Sequence, residues 1–338
     1  GIIMEKRILG KTNYEVSIVG FGGIPIQRAD KDTAVEILRE ALNQGINFID
    51  TARGYRESEA LIGHALEVVG RDNFILATKS MNRTYDGILE ELHTSLKLLK
   101  TDYIDLFQFH NIADRATLDK VLAEGGALQA LKEAKEKGLI REIGLSSHSA
   151  DLLDIAIDTG EFSTIQFPYN AVERQGEPIF EKAKKNNIGV IIMKPMAGGA
   201  LSNGELAMRF ILENPNITVV IPGMDSVEQV RQNTKAGNEL RKLTDEEREV
   251  LEKEAATLGT EFCRRCGYCA PCTVGIDIPT QFVIDAYYTR YDLQDWAIAR
   301  YNSMSVKANE CIECAECESR CPYNLPIVEM LKKVASHY

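Results

Sequence analysis

The stretch Phe74-Ile-Leu-Ala-Thr-Lys79 is a short apolar run, and the amphipathic stretch Gly87–Leu99 follows it. The same alternation recurs between residues 16 and 237, with amphipathic stretches at Thr33–Asn43, Ser58–Val69 and Gln129–Lys137. Near-continuous apolar runs are typical of parallel strands that are covered on both faces. The sequence contains eight such runs: Val16–Gly23, Asn47–Ala52, Phe74–Lys79, Ile104–His110, Glu142–His148, Thr164–Asn170, Gly189–Pro195 and Ile217–Gly223.

Eight strand–helix units predict an α/β fold of the (β/α)8 TIM barrel type. A doubly wound open sheet is the alternative, but no Gly-x-Gly-x-x-Gly motif follows the first run. The segment Lys6–Val16, with its Gly10-Lys-Thr-Asn13 turn, predicts a hairpin that plugs the bottom of the barrel. Thr244 and Glu247 form a capping-box pattern that predicts a final helix. We therefore expect the barrel domain to span residues 1–259.

The overall charge and hydropathy exclude some classes of protein. The chain has 338 residues and a formal net charge of −11 at pH 7. This acidic balance argues against a nucleic-acid-binding protein, which would present a basic face. No apolar run approaches the roughly 20 residues that span a membrane, and the first residues show no signal-peptide pattern. We expect a protein that binds neither nucleic acid nor membranes.

All eight cysteines lie in the last 76 residues, and none occurs in residues 1–262. A disulfide scaffold would be short and secreted, so the cysteines instead predict a second domain over 260–338. One group, Cys311-x2-Cys314-x2-Cys317-x3-Cys321-Pro322, has the spacing that binds a [4Fe–4S] cluster in bacterial ferredoxins. An earlier group has two residues before its last cysteine and consists of Cys263, Cys266, Cys269 and Cys272.

Zinc is the alternative metal, because four cysteines in C-x2-C pairs also build tetrahedral zinc sites. Such zinc sites usually take two separated pairs, so four cysteines within ten residues favour two [4Fe–4S] clusters. We expect the two groups to exchange their fourth cysteine, although ligation without exchange stays open. The expected ligand sets are Cys263, Cys266, Cys269 and Cys321 for one cluster, and Cys272, Cys311, Cys314 and Cys317 for the other. Helical character across Pro279–Met304 favours a small, mainly helical ferredoxin-like domain.

Four proton-bearing side chains stand at or near the expected carboxyl ends of successive strands. Barrel enzymes keep their catalytic groups at these ends. Each residue alone has an ordinary structural explanation, but the four together predict an acid–base site. They are Asp50 and Lys79 at the ends of the second and third runs, Tyr55 in the loop between those runs, and His110 at the end of the fourth. We expect Asn111–Gly125 to be a loop at the same end of the barrel.

Around these residues the sequence resembles the aldo-keto reductases. The resemblance covers about residues 1–240, and the cysteine-rich tail makes the chain similar to the subgroup fused to a ferredoxin-like iron–sulfur domain. It implies an oxidoreductase that reduces a carbonyl or oxidises an alcohol of a small-molecule substrate. The segments that carry it are Asp50-Thr-Ala-Arg-Gly-Tyr55, Ala77-Thr-Lys79, Gln108-Phe-His110, Ile143-Gly-Leu-Ser-Ser147, Gln166-Phe-Pro-Tyr-Asn170 and Ile221-Pro-Gly223.

The resemblance implies a role for each of the four residues. Tyr55 would give a proton to the carbonyl oxygen as hydride reaches carbon, and would act as the base in the oxidative direction. An ordinary tyrosine pKa of about 10 is high for this work near neutrality. Lys79 is expected to lower the pKa of Tyr55, and Asp50 to keep Lys79 charged and oriented. His110 would donate to the carbonyl oxygen or orient it.

The resemblance carries over less completely to the cofactor contacts. Ser146 and Gln166 match the positions that hold the nicotinamide carboxamide. Ser147 stands where asparagine is usual, and Met193 stands where an aromatic ring usually stacks on the nicotinamide. Cofactor binding by these residues is therefore an expectation that rests on position alone.

The segment after the last predicted strand carries the other candidate contacts. Pro222 lies in the matching segment, and Asn233 matches an adenine contact. Gly223 and Gln229 replace the lysine and arginine that typically bind the 2′-phosphate of NADP. The loss of two cations disfavours NADP relative to NAD, or a dinucleotide relative to another kind of cofactor. Arg231 lies on a different helical face from Gln229.

The two predicted domains differ in the number of electrons that they handle. Iron–sulfur clusters transfer one electron at a time, nicotinamide transfers a hydride, and a flavin can do both. FMN at the barrel mouth is therefore a hypothesis beside NAD(P)H, and the clusters imply a redox partner protein and a reducing, anaerobic cytoplasm. Two alternatives stay open. One is a non-catalytic electron carrier or regulatory protein, as in the potassium-channel β subunits, and the other is a purely structural role for the clusters.

Overall fold

The computed structural model describes residues 4–289 and 293–338, and it divides the chain into two compact units. The first unit comprises Gly1–Ala197 and Leu201–Ala256, and the second comprises Gly198–Ala200 and Thr257–Tyr338. Among the helices of the described residues, none has the length and apolar character needed to cross a membrane.

The strands of the described residues all lie in the first unit. In chain order they are β1 (Lys6–Ile8), β2 (Glu15–Ser17), β3 (Phe21–Gly22), β4 (Phe48–Asp50), β5 (Ile75–Ser80), β6 (Ile104–Phe109), β7 (Ile140–Ser146), β8 (Thr164–Pro168), β9 (Gly189–Met193) and β10 (Val219–Val220). Within the described residues, β3 to β10 form an eight-stranded sheet in which each strand pairs parallel with the next. Parallel bridges join Val19 to Val220 and Gly22 to Gly223, so the last strand meets the first. The (β/α)8 barrel is confirmed, and the open doubly wound sheet is wrong.

The strands β1 and β2 form the predicted antiparallel hairpin. Leu9 and Val16 are fully buried and belong to an apolar cluster that also contains barrel residues such as Leu106. The turn has no room for a side chain at Gly10, because an added Cβ would lie 2.4 Å from the backbone nitrogen of Gly189 at the start of β9. The hairpin therefore plugs the amino-terminal end of the barrel.

Helices follow the barrel strands and bury their apolar faces. They are α1 (Lys31–Asn43), α2 (Ser58–Val69), α3 (Tyr85–Leu98), α4 (Arg115–Leu122), α5 (Ala127–Glu136), α6 (Ala150–Asp158), α7 (Glu177–Lys185), α8 (Gly204–Leu212), α9 (Val227–Asn238) and α10 (Asp245–Leu258). The predicted capping box is present at the start of α10, where the Thr244 N–H donates to Glu247 at 2.9 Å and the Glu247 N–H donates to Thr244 at 3.2 Å.

The expectation of a loop over Asn111–Gly125 was wrong, because α4 lies within it. Asp114 caps this helix and accepts from the Thr117 N–H at 2.7 Å. Only two residues of α4, Leu118 and Val121, are buried. So short an apolar stripe gives a weak periodic signal.

The second unit is helical, as predicted. Its helices are α11 (Ile278–Thr289), α12 (Gln294–Ser303), α13 (Glu316–Arg320) and α14 (Ile327–Ala335). The predicted helical stretch Pro279–Met304 thus holds α11 and α12, and residues 290–292 of it lie outside the described residues. The apolar core of this unit contains Cys269 and Cys317 among its buried members, with four further cysteines packed against it. The core is therefore built around the two cysteine groups.

Candidate active site and cysteine cages

The four predicted acid–base residues meet at the carboxyl end of the barrel. Asp50 is the last residue of β4, Lys79 is the penultimate residue of β5, and His110 directly follows β6. Tyr55 lies in the loop between β4 and α2. Parallel strands in register carry their final residues to one rim, and this places the side chains side by side.

A buried ion pair between Lys79 and Asp50 forms the floor of the site. The Lys79 Nζ donates to Asp50 Oδ2 at 2.5 Å and to the Thr51 carbonyl oxygen at 3.0 Å. Gln108 Nε2 donates to the other oxygen of Asp50 at 3.0 Å. Both charges are almost inaccessible to solvent, and such a pair persists only when its remaining polar atoms are also bonded.

Tyr55 lies between the lysine and the histidine. The Lys79 Nζ is 4.8 Å from the centre of the Tyr55 ring. The His110 ring meets the Tyr55 ring edge-on, with 5.8 Å between the ring centres. The structure therefore brings all four predicted residues together.

The net shift of the Tyr55 pKa differs from the expectation. Burial raises the pKa of Tyr55 above its ordinary value, while Lys79 acts to lower it and Asp50 to raise it. Lys79 thus acts in the predicted direction, but the effect of burial on the pKa of Tyr55 is larger than the effect of Lys79. Burial lowers the pKa of Lys79, and the charges of Asp50 and Tyr55 outweigh burial and raise it. Lys79 is therefore a cation at neutral pH.

His110 is neutral. Burial lowers its pKa well below the ordinary histidine value, and the nearby cations Lys79 and Arg83 act in the same direction. Arg83 holds the segment in place, because its Nη2 donates to the His110 carbonyl oxygen at 2.5 Å. Burial also lowers the pKa of His148 to about 3, and its Nδ1 lies 3.1 Å from Asn111 Oδ1. A neutral imidazole beside Tyr55 can donate one hydrogen bond without adding charge.

The buried histidines predict that acid destabilises the fold. In the unfolded chain, His148 binds a proton near pH 6.5. In the folded chain, its lowered pKa delays protonation until about pH 3. The free energy of unfolding should therefore fall below pH 6.5, with a slope approaching about 1.4 kcal/mol per pH unit for each such histidine. Urea unfolding at pH 7.5, 6.5 and 5.5 measures this slope.

His148→Asn should flatten the acid slope, whereas His93→Gln should not, because His93 is exposed on α3. An unchanged slope in His148→Asn would contradict the assignment of a buried neutral histidine.

The candidate carboxamide contacts lie on β7 and β8 and are buried. The Ser146 hydroxyl accepts from the Asn111 N–H at 2.9 Å and keeps its own proton to donate. The Ser147 hydroxyl donates to the Ile112 carbonyl oxygen at 2.7 Å, so it holds the loop after β6. Gln166 Nε2 donates to Asp50 at 3.2 Å. Ser146 and Gln166 thus fit a carboxamide ligand, while the Ser147 donor is already used.

The other candidate cofactor contacts lie at the end of β9, just after β10 and on α9. Met193 is the last residue of β9 and packs against the interior cluster of the barrel. Pro222 is buried and Gly223 exposed just after β10, and an added Cβ on Gly223 would lie 2.7 Å from Pro25. On α9, Gln229 accepts from the Asp225 N–H at 2.7 Å. Asn233 lies about one turn further along α9 and is partly exposed.

Two arginines lie near Gly223 and Gln229, but neither replaces the lysine and arginine that usually stand at those positions. Arg231 points from α9 to Glu40 on α1, with 3.2 Å between Nε and Oε1. Arg28 pairs with Asp225 at 3.3 Å. Both arginines near this segment are therefore paired with carboxylates of the chain.

Sequence reasoning missed Gln108. Its Oε1 accepts from Gln166 Nε2 at 3.0 Å while its Nε2 donates to Asp50, so it links the ion pair to the candidate carboxamide site. The signal was available, because Gln108 lies two residues before His110 and so points to the same face of β6. An open cleft of about 650 Å³ reaches Tyr55 from solvent, and its other lining residues are Ile24, Gln27, Arg28, Gly54, Arg56 and Glu57.

Two cavities in the second unit are each lined by four cysteines, and we call them the first cage and the second cage. The lining cysteines of the first cage are Cys263, Cys266, Cys269 and Cys321. Those of the second cage are Cys272, Cys311, Cys314 and Cys317. Among the described residues, no three His, Cys, Asp or Glu side chains meet as a single-ion site requires.

The two cysteine groups have the same backbone conformation. The residue before the second cysteine is left-handed in both, with φ of 58° at Arg265 and 61° at Glu313. The residue after the second cysteine is also left-handed in both, with φ of 80° at Gly267 and 59° at Ala315. Non-glycine residues rarely adopt this conformation, so its repetition marks loops wrapped around a common object.

Backbone N–H groups favour the charged form of two cage thiols, and burial opposes it at a third. The Arg265 N–H donates to Cys263 Sγ and the Glu313 N–H donates to Cys311 Sγ, both at 3.4 Å. Burial raises the pKa of Cys269 to about 12, with neighbouring thiols adding to the effect. A cationic iron–sulfur core would favour the thiolate instead. The donor set therefore fits [4Fe–4S] clusters.

Comparison with known proteins agrees with both units. Residues 18–206 match the model of the aldo/keto reductase family, and residues 262–326 match that of a 4Fe-4S dicluster domain. The dicluster match decides against zinc. An aldo-keto reductase of Bacillus subtilis, YhdN, is 34% identical over 233 residues, which are 63% of this chain and 68% of the relative. The L-galactose dehydrogenase of Arabidopsis thaliana is 29% identical over 302 residues, which are 75% of this chain and 94% of the relative.

A solved structure gives the same result. The holo form of aldo-keto reductase AKR11C1 from Bacillus halodurans has a TM-score of 0.64 and 29% sequence identity, and it covers 76% of this chain and 96% of its own. Since the family match spans more than half of the chain, this protein belongs to the aldo-keto reductase family of oxidoreductases, and its second unit is a 4Fe-4S dicluster domain.

Proposed function

We propose that the protein reduces the carbonyl group of a small-molecule substrate, or oxidises the corresponding alcohol, and couples this reaction to single-electron transfer through two [4Fe–4S] clusters. The observation that carries the proposal is the assembly of Asp50, Tyr55, Lys79 and His110 at the carboxyl end of the barrel. A purely regulatory or electron-carrying barrel has no need of a buried ion pair beside a tyrosine hydroxyl.

Tyr55 is the group that moves the proton. In reduction its hydroxyl gives a proton to the carbonyl oxygen, and in oxidation the phenolate takes it back. The Lys79 cation stabilises the phenolate in both directions, and Asp50 fixes the position of that cation. His110 is neutral, so its ring orients the carbonyl oxygen by hydrogen bonding and leaves proton transfer to Tyr55.

Ser146 and Gln166 would hold the amide of a nicotinamide, and Met193 would face its ring. Pro222, Gly223, Gln229 and Asn233 would lie along the adenosine part, where the absence of cations at Gly223 and Gln229 favours NAD. A bound nicotinamide supplies hydride transfer, and FMN would supply both hydride and single-electron transfer.

The eight cysteines are the proposed cluster ligands, in the sets that line the first and second cages. We accordingly propose functional domains of residues 1–259 and 260–338 and a redox partner protein that exchanges single electrons. The same chemistry suits a reducing, anaerobic cytoplasm, because exposed thiolates and clusters are readily oxidised.

Spectroscopy of protein purified without oxygen tests this proposal. We expect iron and sulfide for two [4Fe–4S] clusters, and carbonyl reduction with NADH that exceeds reduction with NADPH by about tenfold or more. Gln229→Arg should narrow this preference, because it restores one cation near the 2′-position. Release of FMN on denaturation would identify the flavin, and not a nicotinamide, as the cofactor of the barrel. Protein that holds both clusters, yet reduces no carbonyl compound with either nucleotide or with reduced flavin, would disprove the catalytic proposal.

A further inference from the structure

The two cages share one backbone plan but carry different charges. The segments Cys263–Cys269 and Cys311–Cys317 have the same cysteine spacing, and their left-handed residues occupy the same positions in both. The cages therefore act as internal controls for each other, since spacing and ligand type are matched. The intervening residues differ. They are Arg264, Arg265, Gly267 and Tyr268 around the first cage and, in the same order, Ile312, Glu313, Ala315 and Glu316 around the second.

Arg264 forms part of the wall of the first cage. Its side chain is held there, because the residue is only 6% exposed and its Nη1 donates to the carbonyl oxygens of Thr260 and Phe262 at 3.1 and 2.7 Å. The guanidinium carbon lies 4.2 Å from the centre of the Tyr323 ring, and Tyr323 lines the same cage. A permanent cation is thus fixed at the first cage and shielded from water.

The equivalent position of the second cage has no charge. Ile312 is 58% exposed, and Cys314 beside it is exposed as well. The acidic residues of this cage lie at the surface, where Glu313 pairs with Lys332 at 2.8 Å and Glu316 approaches Arg320 at 3.5 Å. Exposed pairs are screened by water and salt, so their effect on a cluster is small.

We propose that Arg264 raises the reduction potential of the cluster in the first cage, so that this cluster is reduced before the one in the second cage. The proposal rests on the cluster assignment made above. Reduction adds one negative charge, which a nearby buried cation stabilises. Solvent contact also favours reduction in the second cage, and the proposal is that the buried charge of Arg264 outweighs it.

The assignment gives the electron a direction. The exposed second cage exchanges single electrons with an external carrier, and the first cage receives them. In each transfer the cluster of the second cage is oxidised by one electron as the cluster of the first cage is reduced by one. No bond is made or broken, and the thiolate ligands keep their charge.

Potentiometric titration of the holoprotein with dithionite, followed by EPR, tests the proposal. Wild type should show two potentials. Arg264→Ile should lower the ratio of reduced to oxidised cluster in the first cage by about tenfold at a fixed potential, a shift of about 59 mV. Arg264→Lys should keep most of the wild-type value. The reciprocal change Ile312→Arg should raise the reduction potential of the cluster in the second cage. If the Arg264→Ile variant binds no iron, the Ile312→Arg variant provides the test instead.

Ligand variants identify which signal belongs to which cage. Cys269→Ser should alter the EPR signal of the first cage, and Cys317→Ser that of the second. A single common potential in wild type, or an Arg264→Ile variant whose two potentials match wild type, would overturn the proposal. If Cys272→Ser alters the same signal as Cys269→Ser, the exchanged ligand sets are wrong. The effect of Arg264 can still be judged then, because it lies between Cys263 and Cys266 in either arrangement.

Discussion

Tyr55→Phe should lower the rate of carbonyl reduction by about 10²- to 10⁴-fold, the usual contribution of a positioned general acid. The substitution removes only the hydroxyl, and the aromatic ring can keep its contacts with Lys79 and His110. The Lys79–Asp50 pair keeps its hydrogen bonds to Thr51 and Gln108, so the floor of the site should stay folded. Steady-state kinetics at pH 7 with an aldehyde substrate measures the loss.

Tyr85→Phe is the matched control, because Tyr85 lies on α3 and its hydroxyl bonds Glu133 on α5 and not a residue of the candidate site. It should keep wild-type turnover. The Tyr55 variant should also keep the iron content and EPR signals of wild type, which shows that the loss belongs to the barrel chemistry. Turnover within a few-fold of wild type in Tyr55→Phe would reject Tyr55 as the proton donor.

Removal of iron should unfold the second unit and leave the barrel intact. The core of this unit is small, and cysteines that line the cages form part of it. Metal binding free energy contributes directly to folding where the ligands belong to the core, so loss of the metal removes that contribution. The barrel has its own large apolar core and contains no cysteine. Limited proteolysis after chelation should therefore digest 257–338 and leave a resistant fragment that ends near Ala256.

Replacing Cys269 and Cys317 together by serine provides a second route to the same state, because both are buried and each lines one of the two cages. Ser319→Ala is a suitable control, since Ser319 is exposed on α13 and lines neither cage. Iron-free protein that resists protease as well as the holoprotein would show that the helices fold without the clusters. The barrel fragment should melt at the same temperature with and without iron.

The barrel could be predicted from the sequence because its strands are buried on both faces and read as apolar runs. The run Val16–Gly23 shows the limit of this signal. It splits into β2, which belongs to the hairpin, and β3, which belongs to the barrel, and the apolar pattern is continuous across both. The short helix α4 was missed for the opposite reason, since two turns with two buried residues give too little periodicity.

The candidate site was predictable as far as strand ends determine it. Asp50, Lys79 and His110 follow from the ends of three strands. The net shift of the Tyr55 pKa was not predictable, because it depends on a balance between burial and a nearby cation. The engagement of Ser147 with the Ile112 carbonyl oxygen was also hidden, since a hydroxyl shows its partner only in three dimensions.

Cys321 lines the first cage and Cys272 lines the second, and this affects the order in which the two cages are completed during protein synthesis. A nascent chain emerges in sequence order, so the second cage gains its last thiol at Cys317, while the first cage waits for Cys321. Neither cage can close while the barrel is being made. Insertion of the proposed clusters therefore follows synthesis of the barrel, which has already had time to fold.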